Sequence, residues 1–245
     1  MGAGETVRRW LAELGWVWKR AKLRAKEDDP QRVAKLARIG YAFEQRRAGV
    51  ALVFADELAL RLLSTVGSQG MPKGEQGEGM TPGPQEKRHL AGALNLTTGT
   101  IAHCVWSRNP TGLFLDLLQT LDRTYPARTY LHLQVGGDNA KIHQAAAVRK
   151  WRAAPPRFEL LSLPTYWPQA NPIERAFGEV PDQCTRNHPR KRSWHLVHDV
   201  KRHLQVKGPW RYALSAIYYT PEVTAAVQAL RAAATAPEVL SQLAA

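Results

Sequence analysis

Cysteine is almost absent from this chain of 245 residues, where Cys104 and Cys184 are the only two. Two thiols cannot build a disulfide framework or a four-cysteine zinc site, and both are read as core or surface thiols. Long apolar runs are missing too. No stretch approaches the ~20 residues that a membrane-spanning helix needs. The opening Met1-Gly2-Ala3-Gly4-Glu5 lacks the basic-then-apolar form of a secretory leader, so the expected compartment is the cytoplasm, with no membrane partner. Acidic residues are scarce: 21 Asp and Glu stand against 34 Lys and Arg, a formal net charge of +13. An excess of that size favours a polyanionic partner through release of its counterions. A basic but merely soluble protein is the competing reading.

Apolar periodicity divides the chain. Residues 6–47 read as helices, with Trp10, Leu11, Leu14 and Trp18 on one stripe and a second helix starting at Asp29-Pro30. Residues 50–63 read as a strand that is apolar on both faces and therefore central in a covered sheet. Residues 67–86, rich in Gly and Pro, read as a long loop. Strands at 88–96 and 100–106 are joined by the turn Thr97-Thr98-Gly99. A helix at 111–123, a strand at 129–135, a helix at 139–151, a strand at 158–163 and a helix from 172 follow. Pro181 should kink or end that last helix. Further helices are expected at 193–205 and 220–243. This order specifies a mixed α/β sheet with helices on its faces.

Three acidic residues occupy distinctive settings. Asp56 closes the apolar run from Val50 to Ala55, and Asp138 follows Gly136-Gly137 at the end of another strand. Glu174 lies in Pro172-Ile173-Glu174-Arg175, and the 35 residues between it and Asp138 hold enough chain to bring it back to the same place. Two carboxylates at strand ends plus one on a helix can hold two divalent metals, and such a pair can drive in-line attack on a phosphodiester. Each acid also has an ordinary structural reading. Glu174 has the sharpest one: Asn171 as N-cap, Pro172 at the first helical position and Glu174 at the third compose a capping box.

Phe54-Ala55-Asp56-Glu57, Asp138-Asn139-Ala140-Lys141-Ile142-His143 and Leu163-Pro164-x-Tyr166-x-Pro168-x-x-Asn171-Pro172-Ile173-Glu174-Arg175 together resemble the three catalytic blocks of DDE transposases of the mariner superfamily, in its bacterial insertion-sequence branch. The third block is the most specific. The resemblance implies a ribonuclease-H-like fold: a mixed five-stranded sheet flanked by helices, with N-terminal and C-terminal helical extensions. It implies that Asp56, Asp138 and Glu174 are catalytic metal ligands for two Mg²⁺ ions, with Mn²⁺ as substitute. It implies cleavage of double-stranded DNA at element ends and transfer of the freed 3′-hydroxyl to target DNA. A homodimer on DNA and a nucleoid-associated location are expected with it.

Lys141 and Arg175 are placed to reach phosphates, the resemblance brings His143 near the site, and Arg8 and Arg9 are candidate DNA contacts. Tyr166 and Trp167 are read as locking the loop before the helix. The expected domains are a helical segment 1–48, a remnant of the family's DNA-binding region; a catalytic domain 49–206; and a helical extension 207–245. Only 49 residues precede Val50, too few for two paired helical modules, so the chain is read either as a truncated copy or as the second frame of a split gene, with a separate N-terminal DNA-binding polypeptide as partner in the second case. The alternatives still open are another ribonuclease-H-like nuclease and a non-catalytic DNA-binding remnant that regulates a full-length relative.

Overall fold

The computed structural model describes residues 3–16, 29–68, 70, 72–74, 78, 85–106, 112–138, 146–153 and 157–234. Lys141, His143, much of the 67–86 loop and the end of the C-terminal extension lie outside them.

The core is built on β1 (Val50–Arg61), the middle member of a five-stranded sheet ordered β3-β2-β1-β4-β5. Strands β2 (Lys87–Asn95) and β3 (Ile101–Trp106) run antiparallel to their neighbours, whereas β4 (His132–Gly137) and β5 (Phe158–Ser162) run parallel. The uniformly apolar segment Ala51–Ala55 is at most 3% exposed, as a strand covered on both faces must be. Its side chains alternate between faces. Ala51, Val53 and Ala55 meet α3 (Leu113–Thr124) and the short α4 (Ala146–Ala153). Leu52 and Phe54 meet α2 (Arg32–Glu44) and α7 (Pro221–Ala234). Farther along, Leu60 packs on that same face against α5 (Ile173–Val180) and α6 (Ser193–Val206).

Local chemistry explains the joints. Asn95 Oδ1 accepts the backbone N–H groups of Thr97 and Thr98 at 2.8 and 3.1 Å, which folds the β2–β3 hairpin. Gly99 completes the turn with φ +73°, and an added Cβ there would lie 2.8 Å from the Trp210 backbone nitrogen. Pro181 ends α5, and the chain continues as a single π turn over Pro181–Thr185.

Two expectations need correction. The strand expected at 129–135 is shifted to His132–Gly137, because the N–H groups of Thr129 and Tyr130 both turn back to Pro126 O. The glycine pair thereby enters the strand, and Gly136 packs its bare face on the Phe54 ring. Asp56 is not at a strand end. It lies inside β1, which extends to Arg61 because β2 pairs with it through Arg61 while β4 pairs only as far as Phe54. Of the N-terminal helix α1 (Ala3–Glu13), the Trp10 and Leu11 side chains are exposed, as is Leu14 just beyond it. No helix of the described residues is long and apolar enough to cross a membrane.

A carboxylate cleft at the end of the parallel strands

Where β4 stops and β1 continues, the sheet opens a cleft. Asp56 continues the face of β1 that carries Leu52 and Phe54, so its carboxyl points toward α5. Asp138 is the first residue after β4, and Glu174 lies in the first turn of α5. All three line one cavity of about 450 Å³, walled by residues 163–168 and Asn171. Asp56 is half-buried, and Asp138 and Glu174 are exposed.

The three acids are not equally close. The Asp56 and Glu174 carboxyls meet within proton-sharing reach. Burial, then the charge of Glu174, pushes Asp56 up to about 8, although the Glu57 N–H donates to Asp56 Oδ1 at 2.8 Å and opposes the rise. Asp138 faces this pair from another part of the wall. Among the described residues no three His, Cys, Asp or Glu side chains stand at metal-binding spacing. Cys104 and Cys184 take no part, and burial raises the thiol of each, Cys104 to about 12.

The wall that bears Glu174 is fastened at several points. Leu163 N–H donates to Gly137 O at 2.8 Å, which extends β5 beside the end of β4. Thr165 N–H donates to Asp29 Oδ2 at 3.0 Å, and the Lys35 ammonium reaches the same oxygen at 2.7 Å. These bonds, Lys35 first, hold the Asp29 carboxyl at about 2. The Trp167 ring joins the core beneath the Arg32 guanidinium, 4.9 Å from the ring centre. Tyr218 OH donates to Ala170 O at 2.7 Å.

The capping box does not form. Asn171 makes no side-chain cap; its Nδ2 donates instead to Ala55 O of β1, at 3.1 Å. Tertiary placement thus redirects a good N-cap residue into a cross-link beside Asp56. The paired reading of the two aromatics is also corrected. Trp167 locks the loop, whereas Tyr166 is 75% exposed and locks nothing. Arg175 turns away from the cleft: its Nη1 donates to Ala213 O at 3.1 Å and its guanidinium lies over Tyr212. Arg8 and Arg9 are exposed on α1, Arg9 lying 3.8 Å from Glu13.

Sequence reasoning overlooked the outer face of α6. Trp194, His195, His198, Lys201 and Arg202 are all exposed there, preceded by exposed Lys191 and Arg192. Their spacing of three and four residues carried that information. The start of this helix is tied to the sheet end that bears the cleft, since Ser193 Oγ contacts Glu86 and His188 N–H donates to Ser64 Oγ at 3.0 Å. Nearby cations are already neutralised: Arg186 by Asp182, Arg190 by Asp199 and Lys207 by Glu179.

Comparison with known proteins gives this geometry a context. Residues 51–197 match the family model of DDE superfamily endonucleases, and residues 3–36 match a winged helix-turn-helix model. Over 205 residues, 84% of the chain, the sequence is 33% identical to the insertion element IS630 uncharacterized 39 kDa protein of Shigella sonnei. The chain spans 59% of the length of that relative. Its fold is similar to the catalytic domain of Mos1 mariner transposase, with TM-score 0.56 and 13% identity over 86% of this chain and 97% of the other. The mariner Mos1 paired-end complex with Mg gives TM-score 0.60 at 17% identity, over 92% of this chain and 70% of that one. At these identities the structural likeness is one of fold.

Proposed function

The chain belongs to the DDE superfamily of endonucleases, and from that premise we propose that it is the catalytic part of a transposase. In this reading it cuts double-stranded DNA at the ends of its element and joins the freed 3′-hydroxyl to target DNA. The observation that carries the reading is the contact between the Asp56 and Glu174 carboxyls in a cleft that Asp138 also lines.

The donor set has the chemistry of a divalent-cation site, with Asp138 still to close on the other two: the three acids line one cavity but do not stand at ligating spacing. Burial first, and then the neighbouring Glu174 carboxyl, disfavour the ionised form of Asp56, a cost that a cation placed between them would relieve. Carboxylate oxygens are hard ligands suited to Mg²⁺ or Mn²⁺. We assign Asp56, Asp138 and Glu174 as the ligands. Divalent ions held by these three carboxylates would supply Lewis acidity to the reacting oxygens of a phosphodiester. The chain's own residues do the rest. Asp56 would serve as a ligand in its ionised form, which burial beside Glu174 disfavours in the metal-free chain. Asn171 keeps the start of α5 against β1, so that Glu174 stays opposite Asp56. The fastened wall 163–171 fixes one side of the cleft.

The substrate follows from charge. The +13 excess and the basic outer face of α6 favour a polyanion, and α6 starts at the same end of the sheet as the cleft. We further propose that the helical segment within 3–36 contacts DNA, and that the DNA-bound form is a homodimer, since an element has two ends to hold.

Asp138→Asn tests the assignment. The amide is nearly isosteric but cannot carry the charge that holds the cation. Mg²⁺- or Mn²⁺-dependent nicking of a duplex bearing the element's terminal repeat should be lost, while affinity for the same duplex in Ca²⁺ stays within about twofold, because Lys and Arg supply most of it. A variant that cuts as well as the parent overturns the assignment. A parent that binds the duplex but never cuts leaves the non-catalytic regulator as the better reading.

A further inference from the structure

Tyr166 stands apart from every other residue of the cleft wall. Its backbone is left-handed, with φ +61°, a conformation that bulky side chains rarely adopt. Its neighbours enforce this. Thr165 N–H is held by Asp29, and the Trp167 ring packs against the core. Between two fixed residues Tyr166 is turned outward, 75% exposed, at a cavity it shares with Asp56, Asp138 and Glu174. The ring contributes little burial, and glycine or asparagine would relax the backbone. Strain retained for a side chain that the fold does not use points to a ligand in the cleft.

We propose that Tyr166 stacks on the nucleobase next to the scissile phosphodiester, holding that base out of the duplex so that the phosphate can descend to the carboxylates. This rests on the reading of the cleft as a phosphodiester-cleaving site. The chemistry singles out a base. The planar group adjacent to any phosphodiester of DNA is a nucleobase, and every base offers a π-face whatever its sequence. A target atom inside an intact duplex is out of reach of a pocket, so a displaced nucleotide needs a platform. Tyr166 is the exposed aromatic ring lining this cavity, Trp167 being committed to the core.

The test combines two substitutions with a modified substrate. The substrate is a duplex bearing the element's terminal repeat, made either intact or with an abasic nucleotide beside the cleavage point. On intact DNA with Mn²⁺, Tyr166→Ala should lower the single-turnover cleavage rate roughly 5- to 150-fold, the range of one base–aromatic stack. Tyr166→Phe should keep the parental rate, since stacking needs the ring and not the hydroxyl. On abasic DNA the deficit of Tyr166→Ala should vanish, because the ring then has nothing to stack on. Tyr166→Gly should match the deficit of Tyr166→Ala while its Tm holds or rises, because glycine relieves the left-handed backbone.

A Tyr166→Ala variant that cuts at the parental rate overturns the proposal. So does a deficit that persists undiminished on abasic DNA, or a Tm loss in Tyr166→Gly, which would make the residue structural. A parent that cuts nothing removes the premise and the inference together. Cleavage that depends on Asp138 but not on Tyr166 sinks the inference alone.

Discussion

Asn171 Nδ2 donates 3.1 Å to the carbonyl of Ala55, the residue immediately before Asp56, and so couples the helix of Glu174 to the strand of its partner acid. Asn171 is 5% exposed, so neither end of this bond can exchange it for water. Asn171→Ala would leave Ala55 O without its partner and cost about 1–3 kcal/mol. Urea unfolding should show that loss, and cleavage should fall further than in equally destabilised variants elsewhere, because Glu174 drifts from Asp56. If activity tracks stability alone, the bond is merely structural.

Gly92 lies directly across β1–β2 from Asp56, and the Phe177 ring of α5 fills the space a side chain would take. A Cβ on Gly92 would sit 2.9 Å from Phe177 Cζ. Gly92→Ala should therefore lift α5, and Glu174 with it. Overpacking of this kind costs about 1–3 kcal/mol. A thermal melt measures the stability loss, and metal-dependent cleavage should weaken in parallel. Unchanged values for both would mean that Phe177 swings aside freely.

Without metal, the burial of Asp56 beside Glu174 destabilises the fold as Asp56 ionises. The folded-state value for Asp56 is about 8 against the ordinary 3.8, so between these pH values the folded chain binds more protons than the unfolded one. This contribution to stability is complete below pH ~4 and is lost as pH rises through about 8. His89, His103, His188 and His203, all lowered chiefly by burial, act in the opposite sense as they lose protons. Asp29, held at about 2, stays ionised throughout this window. The diagnostic quantity is hence the difference between parent and Asp56→Asn. In EDTA, Asp56→Asn should gain Tm relative to the parent as pH moves from 5 to 8. Adding Mn²⁺ should raise the Tm of the parent and not that of the variant. A pH-independent difference would show that the site does not raise Asp56.

The outer face of α6 should carry phosphate contacts. Lys201 and Arg202 are exposed and lie beside Trp194 and His198 on that face. Replacing both with Ala should reduce the slope of log affinity against log salt by about 2, close to one unit per phosphate released. Fluorescence anisotropy with labelled duplex between 50 and 200 mM salt reads the slope directly. Folding should be untouched, because neither side chain is buried. An unchanged slope would place the DNA track elsewhere.

The sequence carried the order of elements and the three acids, for physical reasons. Apolar period and turn chemistry are local quantities. The unbroken apolar run of β1 marked it as the covered central strand, Asn95 and Gly99 marked the hairpin, and Pro181 marked the end of α5. Spacing placed Asp56, Asp138 and Glu174 on elements that meet. Only the tertiary structure decided how those elements were used. Asp56 became an interior strand residue because β2 outruns β4 along β1. Asn171 gave up its cap because its amide is turned so that Nδ2 reaches a buried carbonyl on β1, which leaves Oδ1 off the helix N–H groups. Tyr166 and Trp167 are adjacent and alike in type, yet one faces the cleft and the other the core, with Arg32 and Asp29 holding the loop between them. Burial and pairing are set by partners far along the chain, so local pattern names the candidates and packing chooses among them.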